Sequence, residues 1–460
     1  MNILLVEPDF PYPTKSKHKA NEVHKNFVPI GLLKLGRYHK SLGDKVKLVR
    51  GKKTKEELKF TPDKILITSL FTYWSQYVWD TVAYYRNLFP KAKICIGGIY
   101  VTLHHKTKEF QRLAKQYRVQ VNVGLNLKAE KYLPDYSLLN GKIEYHAIHA
   151  MRGCIRRCKF CGTWRLEPKM TYKNTKEIIN EIKKIGKNKV IFYDNNFLAN
   201  PNAKEILQNL PNLKINGKPV MFESQSGFDG RLLEKDPKLA FLLKKARFQN
   251  VRIAWDNSVN DAPSIKRQID HLVKAGYPPK DISIFILYNF VVPYEGIIKK
   301  IEYCKRWGVQ INDCRYRPLD SIVDNYKPYM SSQENGNYYI YKESGWSDAK
   351  IRDIRRRVRE HNIGTRYGFP YSKKQEKWST IHRLYKFFGL GRPPKFKQIE
   401  KSNLLKKRVK LMNMAKNIFE KKGKVLNTLI SLKTILKGLP AKKINKKLEE
   451  FILKFSELKN

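Results

Sequence analysis

Cysteine is scarce in this 460-residue chain: there are six, and three of them stand together. Six so unevenly placed are too few for the disulfide framework that holds small secreted domains. Long apolar runs are also missing, none approaching the ~20 residues needed to span a bilayer. The opening stretch MNILLVEPDF lacks a signal peptide's basic start and long apolar core. Acidic residues are the third shortage, with 41 Asp and Glu against 92 Lys and Arg and a net charge of +51. A surplus this large can steer polyanions to a surface. The lysines are spread over every segment, however, as a lysine-rich composition alone would leave them. The expectation is a soluble, cytoplasmic protein. What is present, 42% hydrophobic and 12% aromatic residues, describes a globular chain rather than a disordered one.

The clustered cysteines lie in residues 151–164, MRGCIRRCKFCGTW. Cys154, Cys158 and Cys161 are spaced C-x3-C-x2-C, with Phe160 just before the last. Three thiolates in one loop can converge on one metal centre, and soft sulfur ligands select zinc or an iron–sulfur cluster. A structural zinc site wants a fourth ligand, and His149 is the one near candidate. Three ligands suit a four-iron cluster with one iron left open. Unrelated free thiols are the remaining reading. Cys95, Cys304 and Cys314 lie in apolar segments and read as buried, inert thiols.

Strand patterns are expected at 2–6, 45–49, 64–69, 92–96 and 119–123, with helices at about 29–41, 73–89 and 106–117. Pro29 favours a helix start and Gly43 a stop. This alternation implies a doubly wound, Rossmann-like parallel sheet that binds ligands beyond the carboxyl ends of its strands. Further on, strands are expected at 145–150, 189–193, 220–224, 251–255, 282–288 and 310–316. Helices at 174–187, 204–210, 238–246, 264–275 and 294–307 separate them, giving six βα units. After Tyr371 the composition turns to Lys-rich segments with apolar residues at helical spacing, such as Leu448, Phe451, Ile452 and Phe455. Three domains are therefore expected: 1–135, 136–370 and a basic helical extension at 371–460.

The cysteine loop resembles that of the radical S-adenosylmethionine (radical SAM) superfamily, which carries an aromatic residue where Phe160 stands. The resemblance implies a partial (β/α)6 barrel and a [4Fe–4S] cluster on Cys154, Cys158 and Cys161. The open iron would bind the amino and carboxylate groups of S-adenosylmethionine. An electron donor such as flavodoxin or ferredoxin would drive cleavage to methionine and a 5′-deoxyadenosyl radical, which abstracts hydrogen from an unreactive carbon. The family binds the methionyl amino group after its second strand, usually with Gly-Gly-Glu; here Asp194, Asn195 and Asn196 stand there. The third strand's end, with Ser224, Gln225 and Asp229, is a place for ribose and carboxylate contacts, and Tyr288-Asn289 closes the fifth strand. Asp256-Asn257 ends the fourth strand, and Arg315 and Arg317 lie at the sixth. Each of these also suits a turn or cap, Asp229 as the cap of a following helix.

Residues 1–135 are similar to the cobalamin-binding domain found ahead of many radical SAM domains. The resemblance rests on PIGLLKLGRYHKSLGDKVKLV, ITSLFTYW and ICIGGIYVTL. Thr68-Ser69-Leu70 precedes Gly97-Gly98 by 26 residues, as a Ser-x-Leu element precedes a Gly-Gly pair in that family. The family's D-x-H-x-x-G loop reads Asp9-Phe10-Pro11-Tyr12-Pro13-Thr14 here, so Pro11 holds the place of the cobalt-ligating histidine. His18 and His24, nearby, read as solvated. The resemblance implies cobalamin bound without a protein histidine on cobalt, or a domain that has lost it. With cobalamin the enzyme would be a methyl transferase. The expected function is methylation or rearrangement of a small-molecule, lipid or natural-product substrate. The alternatives are an RNA-modifying enzyme holding its substrate by the basic surface, or a non-catalytic iron–sulfur sensor.

Overall fold

A computed structural model describes residues 1–11, 27–139, 141, 143–327 and 338–367. His18, His24 and the Lys-rich segments expected after Tyr371 lie outside the described residues. The chain divides into two units, Met1–Arg355 and Arg356–Asn460. The first carries the mixed α/β architecture and, among the described residues, all the parallel strands. Among the described residues no helix is long and apolar enough to cross a membrane.

Five parallel strands come first: β1 (Asn2–Glu7), β2 (Lys45–Arg50), β3 (Lys64–Ser69), β4 (Lys93–Gly98) and β5 (Gln120–Asn122). Their order in the sheet is β2-β1-β3-β4-β5. Side chains alternate across a strand, and β1 is apolar on both faces. Leu4 and Val6 join Ile65, Ile67, Ile94 and Ile96 beneath Val78, Trp79, Val82 and Tyr85 of helix Ser75–Leu88 and Phe110 of helix Lys108–Gln116. Ile3, Leu5 and Leu66 face Leu32 of helix Ile30–Ser41 on the other side. Helices on both faces are what a buried parallel sheet requires. Because the chain crosses from β2 over β1 to β3, the sheet has its switch point between β1 and β3, the position at which doubly wound sheets bind ligands.

Six more parallel strands follow in two sets, interleaved with two short hairpins. The first set is β6 (Tyr145–Ile148), β9 (Lys189–Phe192) and β12 (Met221–Ser224), with β9 in the middle. The hairpins pair β7 (Met151–Arg152) with β8 (Thr171–Tyr172), and β10 (Lys214–Ile215) with β11 (Lys218–Pro219). The second set is β13 (Arg252–Ala254), β14 (Ser283–Tyr288) and β15 (Gln310–Arg315), with β14 in the middle. Isolated parallel bridges, Phe222 to Phe248 and Phe228 to Ile253, link the sets in chain order. Beneath them Phe192, Phe197, Phe222, Phe228 and Phe248 form one aromatic core with neighbouring ring centroids 4.8–6.4 Å apart. Each such buried ring contributes roughly 2–3 kcal/mol.

The helix Ile30–Ser41 belongs to both strand systems. Leu32 packs on the first sheet, while Leu33 packs with Tyr145, Ala147 and Ile191 of β6 and β9. The strand expected over 145–150 stops at Ile148. The reason lies in a side chain that takes the next backbone N–H groups, described below.

Candidate metal centre

The cysteine loop is built from its neck outward. Asp194, two residues past β9, is fully buried and accepts the N–H of Ala150 (3.0 Å) on one oxygen and that of Met151 (2.6 Å) on the other. Burial pushes its carboxyl up to about 7, against the pull of those two donors. β7 and β8 then close the loop's base, Met151 opposite Tyr172 and Arg152 opposite Thr171. Gly153 sits at φ +82°, where a side chain is strained, and an added Cβ would lie 3.0 Å from Met170 Cγ. Its N–H donates to Glu167 Oε2 (2.7 Å), and Arg152 Nη1 holds the other oxygen (3.0 Å). Arg152 Nη2 reaches both oxygens of Glu130 (2.9 and 2.8 Å), which also takes Lys34 Nζ (2.9 Å). Burial pushes the Lys34 ammonium down and Glu130 pulls it back. Burial also acts to raise Glu130, yet Arg152 and Lys34 hold its carboxyl below the usual range. A chain of alternating charge thus runs from the shared helix to the loop's neck.

All three loop cysteines are free and half-buried. The Arg156 N–H points at Cys154 Sγ (3.4 Å) and the Thr163 N–H at Cys161 Sγ (3.5 Å), with Thr163 Oγ1 also 3.2 Å from Cys161 Sγ. Burial raises the Cys158 thiol, and Cys161, Asp256 and Cys154 push it the same way against Arg231. The three thiols therefore share one electrostatic neighbourhood. Among the described residues no three His, Cys, Asp or Glu side chains converge as ligands of a metal ion. His149 packs edge-on against Tyr193 (6.1 Å), and burial keeps its ring well below its ordinary pKa. The donor set, three free thiols on one braced loop, fits a soft multi-sulfur centre.

The neighbouring strand ends meet this loop. Asn195 accepts from Thr163 Oγ1 (3.1 Å) and donates to Glu167 (3.0 Å). Arg156, between the first two cysteines, donates from Nε to Asp229 (2.8 Å), which also takes Arg231 (2.9 Å) and Asn196 (3.2 Å). Asp229 caps helix Gly230–Lys235 as well, so it is both cap and loop anchor. Asn196 Oδ1 and Gln225 Oε1 are buried acceptors with no partner. Phe160 meets Phe290, just past β14, edge-on at 6.2 Å. Asp256 is half-buried, and burial pushes it up to about 6 against Lys300 and Arg231.

Two expected cofactor contacts have partners within the fold. The Ser224 hydroxyl donates to the Gly227 carbonyl (2.8 Å), and its own carbonyl accepts from Arg252 (2.9 Å). Tyr288 is buried against Trp346, with its hydroxyl on Asp313 (3.4 Å). Sequence reasoning did not single out Glu167, Thr163 or Arg156. Their signal was position alone, inside or just beyond the cysteine loop.

The residues expected to hold cobalamin are also accounted for within the fold. Gly98 has φ +104°, and a Cβ there would lie 2.3 Å from the Ser69 carbonyl oxygen, so this glycine lets β3 and β4 close on each other. The Ser69 hydroxyl accepts the Val101 N–H (3.2 Å), and Leu70 takes the Tyr100 N–H on its carbonyl (3.1 Å). Gly97 would meet Asn122 at an ordinary 3.4 Å. Beyond β1 and β3, Phe10 stacks on Trp74 (5.2 Å), which meets Phe71 (4.9 Å) and Tyr73 (5.7 Å) edge-on. Pro11 offers no nitrogen. The described residues give cobalamin no support.

Residues 148–309 match the model of the radical SAM superfamily, and this stretch is a radical SAM superfamily domain. The superfamily implies an enzyme, a [4Fe–4S] cluster and S-adenosylmethionine. No curated protein matches the chain. A solved structure, the carboxyl transferase domain of Rhizobium etli pyruvate carboxylase with pyruvate, aligns at 11% identity and a TM-score of 0.20. The alignment covers 85% of this chain and 54% of that one, so the chain spans about half its length; a likeness this low carries no argument.

Proposed function

We propose that this protein is a radical SAM enzyme that cleaves S-adenosylmethionine reductively and abstracts hydrogen from an unreactive carbon of an organic substrate. In this reading the six parallel strands, β6, β9, β12, β13, β14 and β15, form a partial barrel whose carboxyl ends face the cysteine loop. The observation that carries it is the loop itself: three free thiols, two taking backbone N–H groups, on a neck fixed by Asp194 and Glu167. Held by Cys154, Cys158 and Cys161, a [4Fe–4S] cluster would supply the electron that cleaves the sulfonium to methionine and a 5′-deoxyadenosyl radical. The remaining work falls to this chain's residues. The unpartnered acceptors Asn196 Oδ1 and Gln225 Oε1 suit a ligand that brings donors, as the amino group and ribose hydroxyls of S-adenosylmethionine do. Phe160 and Phe290 shield the loop from water on the side of β14. The described residues give cobalamin no support, and this reading assigns no methyl transfer to it. The test is anaerobic reconstitution followed by assay for 5′-deoxyadenosine: its formation supports the reading, and a chain that binds iron and sulfide yet forms none contradicts it.

A further inference from the structure

Resting on that reading, we infer that the aromatic cluster beyond β14 and β15 receives a cationic organic group of the substrate, an amine or an N-alkylated ammonium. One buried side chain assembles the cluster. Asn289, at the end of β14, is fully buried and holds a left-handed φ of +59°. Its Nδ2 donates to the carbonyls of Tyr316 (3.2 Å) and Tyr339 (3.0 Å), and its Oδ1 accepts the Tyr341 N–H (3.0 Å). Three tyrosines from two separate stretches are thereby gathered around Phe290, the next residue. Phe290 meets Tyr316 at 4.2 Å and Tyr341 at 5.3 Å, and Tyr339 stands edge-on to Tyr316 at 5.8 Å. Phe290 also meets Phe160 of the cysteine loop (6.2 Å), so the cluster adjoins the place where the radical would form.

All five rings stay half-buried, unlike Phe192 and Phe222 of the aromatic core, which are sealed. Their charge surroundings run against the rest of the chain, whose net charge is +51. Beyond the effect of burial, exposed Asp320 raises the phenols of Tyr316 and Tyr339, and exposed Glu343 raises Tyr339 as well. Arg315 reaches the Tyr339 carbonyl (3.4 Å), but its charge is met by both oxygens of Asp324 (2.6 Å each). Elsewhere the chain covers tyrosine rings with its own cations, as Arg306 does Tyr303 (4.3 Å) and Lys244 does Tyr277 (4.6 Å). Among the described residues no lysine or arginine covers these five. Ring faces bordered by carboxylates and free of the chain's own cations suit a ligand that brings the positive charge. The angles between neighbouring tyrosine and Phe290 rings, 38–79°, leave no parallel pair to stack a flat, uncharged ring between.

The test uses the full chain, with choline as the probe and its uncharged tert-butyl isostere as the control, both followed by titration calorimetry. Choline should bind at least about tenfold more tightly than the isostere. Tyr316→Ala and Tyr341→Ala should each weaken choline about tenfold, and Tyr316→Phe less than about twofold, because the ring face rather than the hydroxyl attracts the cation. Asp320→Asn with Glu343→Gln changes exposed positions only, and should weaken choline about threefold while leaving the isostere unchanged. In the reconstituted, reduced protein the methyl protons of bound choline should relax faster than in the cluster-free chain, since the cluster adjoins the paramagnetic centre. Equal affinity for choline and the isostere, wild-type choline affinity in both alanine variants, or unchanged relaxation beside a reduced centre overturns the proposal. Indole binding more tightly than choline would assign the rings to a flat, uncharged substrate instead. Absence of 5′-deoxyadenosine from the reconstituted wild type would sink the functional reading, and the choline affinities would still decide this one.

Discussion

The first sheet and the six later strands are built by the same rule, parallel strands with helices between, yet their carboxyl ends differ. At the first sheet the ends are closed by the chain itself: Phe10 stacks on Trp74, and Gly98 lets the end of β4 press on Ser69. At the later strands the ends are left open, with three free thiols, two unpartnered acceptors and a half-buried Asp256. Architecture therefore does not decide where chemistry happens. The residues at the strand ends do.

The sharpest way to break this contrast is to compare cysteines across it. Cys158→Ala should abolish both the visible absorbance of the reconstituted centre and S-adenosylmethionine cleavage. Cys95→Ala, in β4 of the first sheet, should leave both at the wild-type level. Equal losses in the two variants, measured by iron content and 5′-deoxyadenosine, would erase the distinction.

Next in size is the neck. Asp194→Ala leaves two buried N–H groups without an acceptor, a cost of about 3–4 kcal/mol, read by denaturant unfolding. The pH dependence carries its own sign. The native carboxyl is raised from an ordinary 3.8 to about 7, so the fold favours its protonated form. Its contribution to stability is full below 3.8 and is lost as pH rises through about 7. Asp194→Asn should flatten that slope while costing less than Ala. An unchanged slope would mean that the carboxyl is not what titrates.

How far the sequence foretold this is best seen at particular residues. The spacing of Cys154, Cys158 and Cys161 located the loop, and the helix expected at 294–307 is observed as Tyr294–Trp307. The strand expected to continue through Ala150 ends at Ile148, because Asp194, more than forty residues on, replaces a strand partner as the acceptor. A tertiary contact of that kind leaves no local periodicity to read. The same holds for Asp194 itself: its position at a strand end was visible, but its direction, inward to backbone N–H groups, was not. Arg156 and Glu167 escaped notice because a charged residue in a basic loop reads as solvated until its partner is known. Ser69 and Gly98 were found by motif, and in the fold they are paired across β3 and β4.

That last pair sharpens the comparison at the first sheet. Gly98→Ala forces a side chain into φ +104° with its Cβ 2.3 Å from a carbonyl oxygen, and should cost about 3 kcal/mol. Gly97→Ala meets only an ordinary contact at 3.4 Å and should cost less than about 1 kcal/mol. Thermal melts of the two variants distinguish a glycine kept for strand packing from one kept for a flat ligand. In the latter case Gly97→Ala would also lose cobalamin affinity.

The smallest effect is expected where the two regions meet, along Lys34, Glu130, Arg152 and Glu167. Removing one partner of a buried ion pair is usually costly because it leaves the other charge alone. In Lys34→Met, Glu130 is not left alone, since Arg152 Nη2 still reaches both its oxygens. The ammonium it loses was itself held down by burial. The two terms oppose each other, and the net change at neutral pH should stay within about 1 kcal/mol. Acid brings the difference out. Glu130 is held below its ordinary 4.5, so its contribution to stability is present above that value and is lost as pH falls through the native one. Without Lys34 the carboxyl is held less low, and the loss should begin at higher pH than in the wild type. Melts taken from neutral pH down through the carboxylate range would show it. Coincident acid limbs would mean that Arg152 alone sets the charge of Glu130, and that the shared helix supports the cysteine loop by packing rather than by charge.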